Sequence, residues 1–209
     1  MKELLSEYKK KRVLIKKRLK EFGRLYSSPD EDIFAELSFC ILTPQSRALA
    51  CDRAISELRA CGLLFKGGRR DIRSRLKNVR FPNKKASFLV DARRLFGNGG
   101  SFDIKGRLDL RDIARSREWL VDNVKGLGYK EASHFLRNIG LGRDLAILDV
   151  HILKNLKRFG VITKVPSSMT KKRYLEIEEK MRRFSKRIDI PLDELDLLLW
   201  SKETGVIFK

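Results

Sequence analysis

A chain of 209 residues with 42% hydrophobic content can bury a sizeable core, either as one domain or as two intimately packed lobes. Its 47 Lys and Arg outnumber 27 Asp and Glu for a net charge of +20, which favours a polyanion, nucleic acid ahead of a membrane surface or an acidic protein. No apolar run approaches the roughly 20 residues of a bilayer span, and the charged helical start lacks a signal-peptide core, so the expected location is the cytoplasm, in association with the nucleoid. A thermophile-like charged surface is the plain alternative, but such surfaces are usually balanced in sign. Cys40, Cys51 and Cys61 sit in helix-like apolar patterns without Cys-x-x-Cys spacing. They are expected to be buried free thiols, with neither a metal nor an iron–sulfur site.

The pattern is helical nearly throughout. Met1–Phe22 places Leu4, Leu5, Tyr8, Leu14, Ile15, Leu19 and Phe22 at mostly helical spacing, and Gly23 closes it. Ser27-Ser28-Pro29-Asp30 is expected to cap a helix carrying Phe34, Leu37 and Ile41. Thr43-Pro44-Gln45-Ser46 then breaks the chain, and Arg47–Cys61 resumes as helix. Gly67-Gly68 reads as a loop, Asp71–Leu76 as a short helix, and Phe81-Pro82-Asn83 as the opening of a helix to about Phe96. Gly97-Asn98-Gly99-Gly100 is the loosest stretch, expected to be a surface loop. Helices follow at Tyr129–Ile139, Val150–Phe159, Thr170–Phe184 and Leu192–Trp200, with Ser201–Lys209 as a tail. No strand-type alternation persists, so the expectation is an all-α fold.

The chemistry is concentrated in Val124-Lys125-Gly126-Leu127-Gly128-Tyr129-Lys130-Glu131-Ala132 and in Ile147-Leu148-Asp149-Val150-His151. The first segment reads as helix, tight glycine turn, helix, with Leu127 tucked between the helices and small Ala132 letting them approach. Gly126 and Gly128 free backbone N–H groups at the mouth of a helix, where a phosphate can be held. Lys125, Leu127 and Tyr129 are the expected backbone contacts. Lys130 would face whatever the turn grips, and Asp149, 19 residues later, could return to the same place. The plain alternative makes Lys130 a solvated helix lysine and Asp149 a helix cap.

An amine and a carboxylate beside a phosphate grip suggest chemistry on a nucleic-acid backbone or base, and each can be given a part in removing a base. Breaking the bond between base and deoxyribose develops positive charge at C1′, which a carboxylate stabilises. An amine attacking C1′ leaves an imine, which acidifies C2′ for elimination of the 3′ phosphate. With a reference pKa of about 10.4, only about one lysine in a few thousand is neutral at pH 7, so burial, neighbouring cations or Asp149 must relieve the amine of its proton.

These segments resemble the helix–hairpin–helix DNA glycosylase superfamily, and within it the second, archaeal and bacterial class of 8-oxoguanine DNA glycosylase/AP lyase. Gly126 to Asn138, Glu194-Leu195-Asp196-Leu197 with Trp200, and a final lysine carry the likeness, which spans essentially the whole chain. Lys125 stands where superfamily members often have proline, and no cysteine follows Cys61, so the iron–sulfur branch is excluded. The resemblance implies two helical lobes with an active-site cleft between them, about 31–142 and about 1–30 plus 143–209. It also implies a monomer acting on double-stranded DNA that contains oxidised guanine, with no cofactor beyond a monovalent cation that such hairpins often bind through carbonyls. Nothing in these residues tests for that cation.

By the same resemblance Lys130 is the nucleophile, Asp149 the charge stabiliser, and Gln45 a polar wedge at a helix–loop–helix junction. Trp200 stacks on the extruded base, and Lys209 reaches the base pocket and separates 8-oxoguanine from guanine. Phe81 and Phe88 are weaker stacking candidates, core packing being the ordinary role of phenylalanine. His151 either orients the aspartate, approaches phosphate or simply packs, and His134 reads as a surface or packing residue. Three alternatives stay open from the sequence: a glycosylase for another oxidised base, a non-catalytic hairpin DNA-binding protein, and a basic RNA-binding scaffold.

Overall fold

The computed structural model describes residues 1–98 and 100–209. Eleven α-helices are present among the described residues: α1 Lys2–Leu25, α2 Asp30–Leu42, α3 Ala48–Ala60, α4 Leu63–Lys66, α5 Arg69–Arg75, α6 Pro82–Phe96, α7 Ile113–Asn123, α8 Tyr129–Asn138, α9 Val150–Arg158, α10 Lys171–Arg187 and α11 Leu192–Thr204. A two-residue antiparallel ribbon pairs Gly97 with Phe102 and Asn98 with Ser101. It replaces part of the surface loop expected at Gly97–Gly100; Gly99 lies outside the described residues. The fold is all-α, as the patterning indicated.

The chain divides into two compact units, one of Met1–Arg24 and Leu136–Lys209, the other of Leu25–Phe135. Each is built around a helix that is apolar on nearly every side, the composition that favours a buried helix over a surface one. In the Leu25–Phe135 unit this is α2, with Ile33, Phe34, Leu37, Phe39, Ile41 and Leu42 all fully buried. Phe34 stacks on Phe102 at 4.5 Å between ring centroids, which brings the ribbon onto the core. In the other unit the central helix is α11, with Leu195, Leu198 and Leu199 fully buried. Tyr8 of α1 donates its hydroxyl to Glu194 at 2.7 Å, and burial followed by that carboxylate pushes the phenol up to about 12.

Several local expectations are corrected. Helix α1 runs past Gly23 to Leu25, and α11 passes Trp200 to Thr204, absorbing the start of the expected tail. Gly140, at φ 79°, lies so near Gly23 that a Cβ on it would meet the Gly23 Cα at 2.5 Å. Gly23 therefore serves as a contact surface rather than a stop. The start of α2 has no side-chain cap; Asp30 instead accepts the Ile104 and Lys105 amides at 2.6 and 3.2 Å. Cys40 and Cys51 are buried, but Cys61, at the end of α3, is exposed, because its place after the last turn turns it off the apolar face.

Candidate active site

In the Leu25–Phe135 unit the glycine turn links α7 to α8. Gly126 adopts φ 90°, and a Cβ there would meet the Phe88 ring at 2.6 Å, so only glycine lets the turn lie against that ring. Half-buried Phe88 thus supports the hairpin from α6. Leu127 is buried, and its N–H donates to the Val124 carbonyl at 3.2 Å, which closes the turn. That amide is therefore spent inside the turn, in contrast to the phosphate contact expected of it. The Gly128 N–H donates to Glu131 Oε2 at 3.3 Å. Tyr129, the first residue of α8, donates its hydroxyl to Glu118, and its ring lies 5.4 Å from the guanidinium of buried Arg117. Arg117 donates in turn to Ser133 Oγ at 3.2 Å, which bolts α7 to α8. Lys125 is exposed and reaches Asp91 at 3.2 Å.

Lys130 follows on the first turn of α8, its side chain only 26% exposed and its ammonium 3.1 Å from Glu131 Oε1. Glu131 was not anticipated; its role depends on where the helix turns its neighbours, which the one-dimensional pattern does not reveal. Lys85 of α6 was also missed, since it reads as one more surface cation after Lys84. It is buried, and donates to the Leu42 carbonyl at 2.6 Å, the Pro44 carbonyl at 2.7 Å and Ser46 Oγ at 2.9 Å. Burial holds its pKa below the usual lysine range; Cys51 and Glu131 oppose that shift, while Lys130 and Arg80 add to it. Cys51 donates its thiol to the Leu42 carbonyl at 3.1 Å, and burial pushes it up to about 11. Lys130 thus shares its surroundings with a buried second lysine, a carboxylate and a protonated thiol.

Gln45 is exposed in the break after α2, at φ 55° in the left-handed region. Phe81, exposed at the start of α6, has φ 58°, and the Arg80 guanidinium lies 5.4 Å from its ring. Ser46 Oγ accepts the Arg80 amide at 3.0 Å and so ties these two strained positions together. His134 is buried edge-on to Phe39 at 5.7 Å, a packing residue.

In the other unit Asp149 precedes α9 and accepts the Ile152 amide on Oδ1 at 2.8 Å, so it caps the helix. The segment that delivers it, Gly142 to Leu148, has no regular structure yet is largely buried, and its backbone is satisfied by side chains. Tyr174 donates to the Ala146 carbonyl at 2.6 Å and accepts the Leu148 amide at 3.4 Å; Glu178 accepts the Ala146 amide at 2.8 Å. Asp196 of α11 accepts from the Ile147 amide and lies 3.2 Å from Arg137. Full burial, augmented by Asp149 and Asp193 and only partly offset by Arg137, pushes Asp196 up to about 7. Burial also raises Asp193. Asp149 therefore belongs to a cluster of three aspartates with one buried arginine.

His151 is half-buried on the first turn of α9, its carbonyl accepting from Asn155 at 3.0 Å. Trp200 is the half-exposed member of an otherwise buried stretch of α11. Lys209 is half-buried, at the end of a segment drawn onto α1 by Arg18, which donates to the Phe208 carbonyl at 3.2 Å. Among the described residues no group of three or more His, Cys, Asp or Glu converges as a metal ion would require, and no helix is long and apolar enough to cross a membrane.

The family model described as 8-oxoguanine DNA glycosylase, of the helix–hairpin–helix kind, matches residues 15–190. The chain is 48% identical over 209 residues to the 8-oxoguanine DNA glycosylase/AP lyase of Fusobacterium nucleatum subsp. nucleatum, covering 99% of this chain and 96% of that protein. It superposes on the crystal structure of the 8-oxoguanine DNA glycosylase of Thermotoga maritima with a TM-score of 0.89 at 38% identity, over 100% of this chain and 97% of that one. The Methanocaldococcus jannaschii 8-oxoguanine glycosylase/lyase, solved with a 15mer DNA containing 8-oxoguanine, gives 0.88 at 35% identity over the whole of both chains.

Proposed function

The chain belongs to the 8-oxoguanine DNA glycosylase family, and from that premise we propose that it excises 8-oxoguanine from duplex DNA and then cleaves the abasic strand, with Lys130 as the attacking amine. The observation that carries the assignment is the placement of Lys130: partly buried on the first turn of the helix after the glycine hairpin, its ammonium 3.1 Å from Glu131.

In this reading the Lys130 lone pair attacks C1′ while the bond from C1′ to the base breaks, and the base leaves with the bonding electrons and gains a proton. The amine loses its proton to a carboxylate, and the sugar ring opens to the imine. Asp149, capping α9, supplies negative charge against the cationic character that C1′ acquires. Withdrawal of electrons into the imine then lets a C2′ proton leave, the C3′–O bond breaks, and the phosphate departs with its electron pair. Water hydrolyses the imine and frees Lys130.

Gln45 fills the space left by the extruded base, Trp200 and the phenylalanines offer stacking surfaces, and Lys209 contributes to base selection. The hairpin around Gly126 and Gly128 holds a phosphate. The protein acts on duplex DNA as a single copy. Borohydride trapping on duplexes carrying 8-oxoguanine opposite each normal base tests the proposal. Wild-type protein should form a covalent adduct, and Lys130→Gln should bind the same duplex without one. Undiminished trapping by that variant removes Lys130 from the role, and binding without trapping by the wild type returns the chain to a non-catalytic hairpin protein.

A further inference from the structure

Lys85 carries no role in the reaction just described, yet it is a buried cation with every donor committed. Only 3% of it is exposed. An ammonium has three N–H donors and no acceptor. Here the three acceptors in reach are the Leu42 carbonyl, the Pro44 carbonyl and the Ser46 hydroxyl, all within 2.9 Å.

These acceptors surround one residue. Leu42 and Pro44 precede Gln45 and Ser46 follows it, and Gln45 itself holds a left-handed backbone (φ 55°) that a residue with a Cβ seldom adopts. Such a conformation persists only where the surroundings over-determine it. Three bonds from one buried charge provide that constraint. Ser46 extends it, because its hydroxyl also accepts the Arg80 amide at 3.0 Å, next to the second left-handed residue, Phe81. Burying an ammonium is costly unless every donor is satisfied. A lysine kept in such a place, when a leucine would fill the volume, is explained by what its charge holds.

We propose that Lys85 is a positioning residue for Gln45: its ammonium fixes the break after α2 so that the glutamine stands ready to enter the duplex when a base leaves. The inference rests on the reading of Gln45 as the wedge. It gives Lys85 a part in base extrusion and none in bond breaking at C1′. The cost of the strained backbone is met during folding, so the wedge enters DNA without first having to be ordered.

The two steps separate by substrate. A single-stranded oligonucleotide with a preformed abasic site needs the Lys130 chemistry but no wedge. Duplex 8-oxoguanine needs both. Lys85→Met should slow excision from duplex DNA by about tenfold or more, and reduce the fluorescence rise of a 2-aminopurine placed beside the lesion, while borohydride trapping on the single-stranded abasic site changes less than about threefold. Gln45→Ala should show the same split, and the double variant should be no slower than the slower single variant.

Ser46→Ala removes one acceptor and the tie to Arg80, and should give a smaller effect of the same kind even if Lys85→Met folds poorly. Equal loss on both substrates, or unchanged duplex excision, overturns the positioning role. A silent Gln45→Ala overturns the wedge reading itself. An impaired Gln45→Ala whose effect multiplies with that of Lys85→Met leaves the wedge in place and removes Lys85 from it.

Discussion

Asp149 accepts the Ile152 amide as the cap of α9 and also brings a negative charge to a cluster that includes Asp193 and Asp196. Asparagine caps a helix about as well as aspartate but carries no charge. Asp149→Asn should therefore leave the thermal midpoint nearly unchanged in circular dichroism. Single-turnover excision should fall by about 10²–10³, the range seen when a group that stabilises transition-state charge is lost. Equal losses of stability and activity would show that the cap alone matters. Lys130 illustrates the complementary case: its place in the motif marked it from sequence, while the carboxylate beside its ammonium, Glu131, is brought there by the turn of α8.

At the scale of the element, the hairpin is a turn whose shape is set by what lies against it. Gly126 needs its positive φ, and it also needs to have no side chain, because the Phe88 ring fills the space a Cβ would occupy. Gly126→Ala combines backbone strain of roughly 1–3 kcal/mol with displacement of that ring. Chemical denaturation should show a loss of at least about 1 kcal/mol, and a gel-shift titration on duplex DNA should show weaker binding of damaged and undamaged sequences alike. Weakened binding of the lesion duplex only would place the hairpin at the base rather than at the phosphate. The segment before Asp149 follows a similar logic with different means. It has no regular hydrogen-bonding ladder, so Tyr174, Glu178 and Asp196 satisfy its backbone one group at a time.

For the whole molecule, two charge effects can be measured. Asp196 titrates at about 7 in the folded state against about 3.9 unfolded, so between those values the folded protein holds a proton that the unfolded chain has released. Its contribution is fully present below the unfolded pKa and is lost as pH rises to about 7. Glu3, Glu7, Glu21 and Glu179 are shifted down, so their contributions are lost only as pH falls below the ordinary carboxylate range. Denaturation midpoints should therefore decline from pH 5 to 8, and Asp196→Asn should flatten that decline. A wild-type profile that is level or rising over this range would contradict the assignment. The net charge of +20 sets the second effect. With about four phosphates neutralised, affinity for undamaged duplex should drop about a hundredfold between roughly 50 and 200 mM salt. A flat salt response would mean the excess charge is solvated surface.

The sequence by itself determined the helical class, because apolar residues recur at helical spacing almost everywhere. It also marked Lys130, Asp149 and the glycine turn, because a tight hairpin and a helix cap are local events written in a few adjacent residues. Tertiary structure alone decided which charges are buried and what they hold. Lys85 and Lys84 are indistinguishable in one dimension, yet only Lys85 is drawn beneath the break that carries Gln45, since the α6 face it occupies packs inward. Asp196 shares a short acidic pattern with Asp193 and Glu194, but its place on the buried side of α11, against Arg137, makes it the aspartate of that run pushed up to about 7. Burial and long-range hydrogen bonds depend on which faces meet, and the spacing of residues along the chain does not contain that information until the helices have packed.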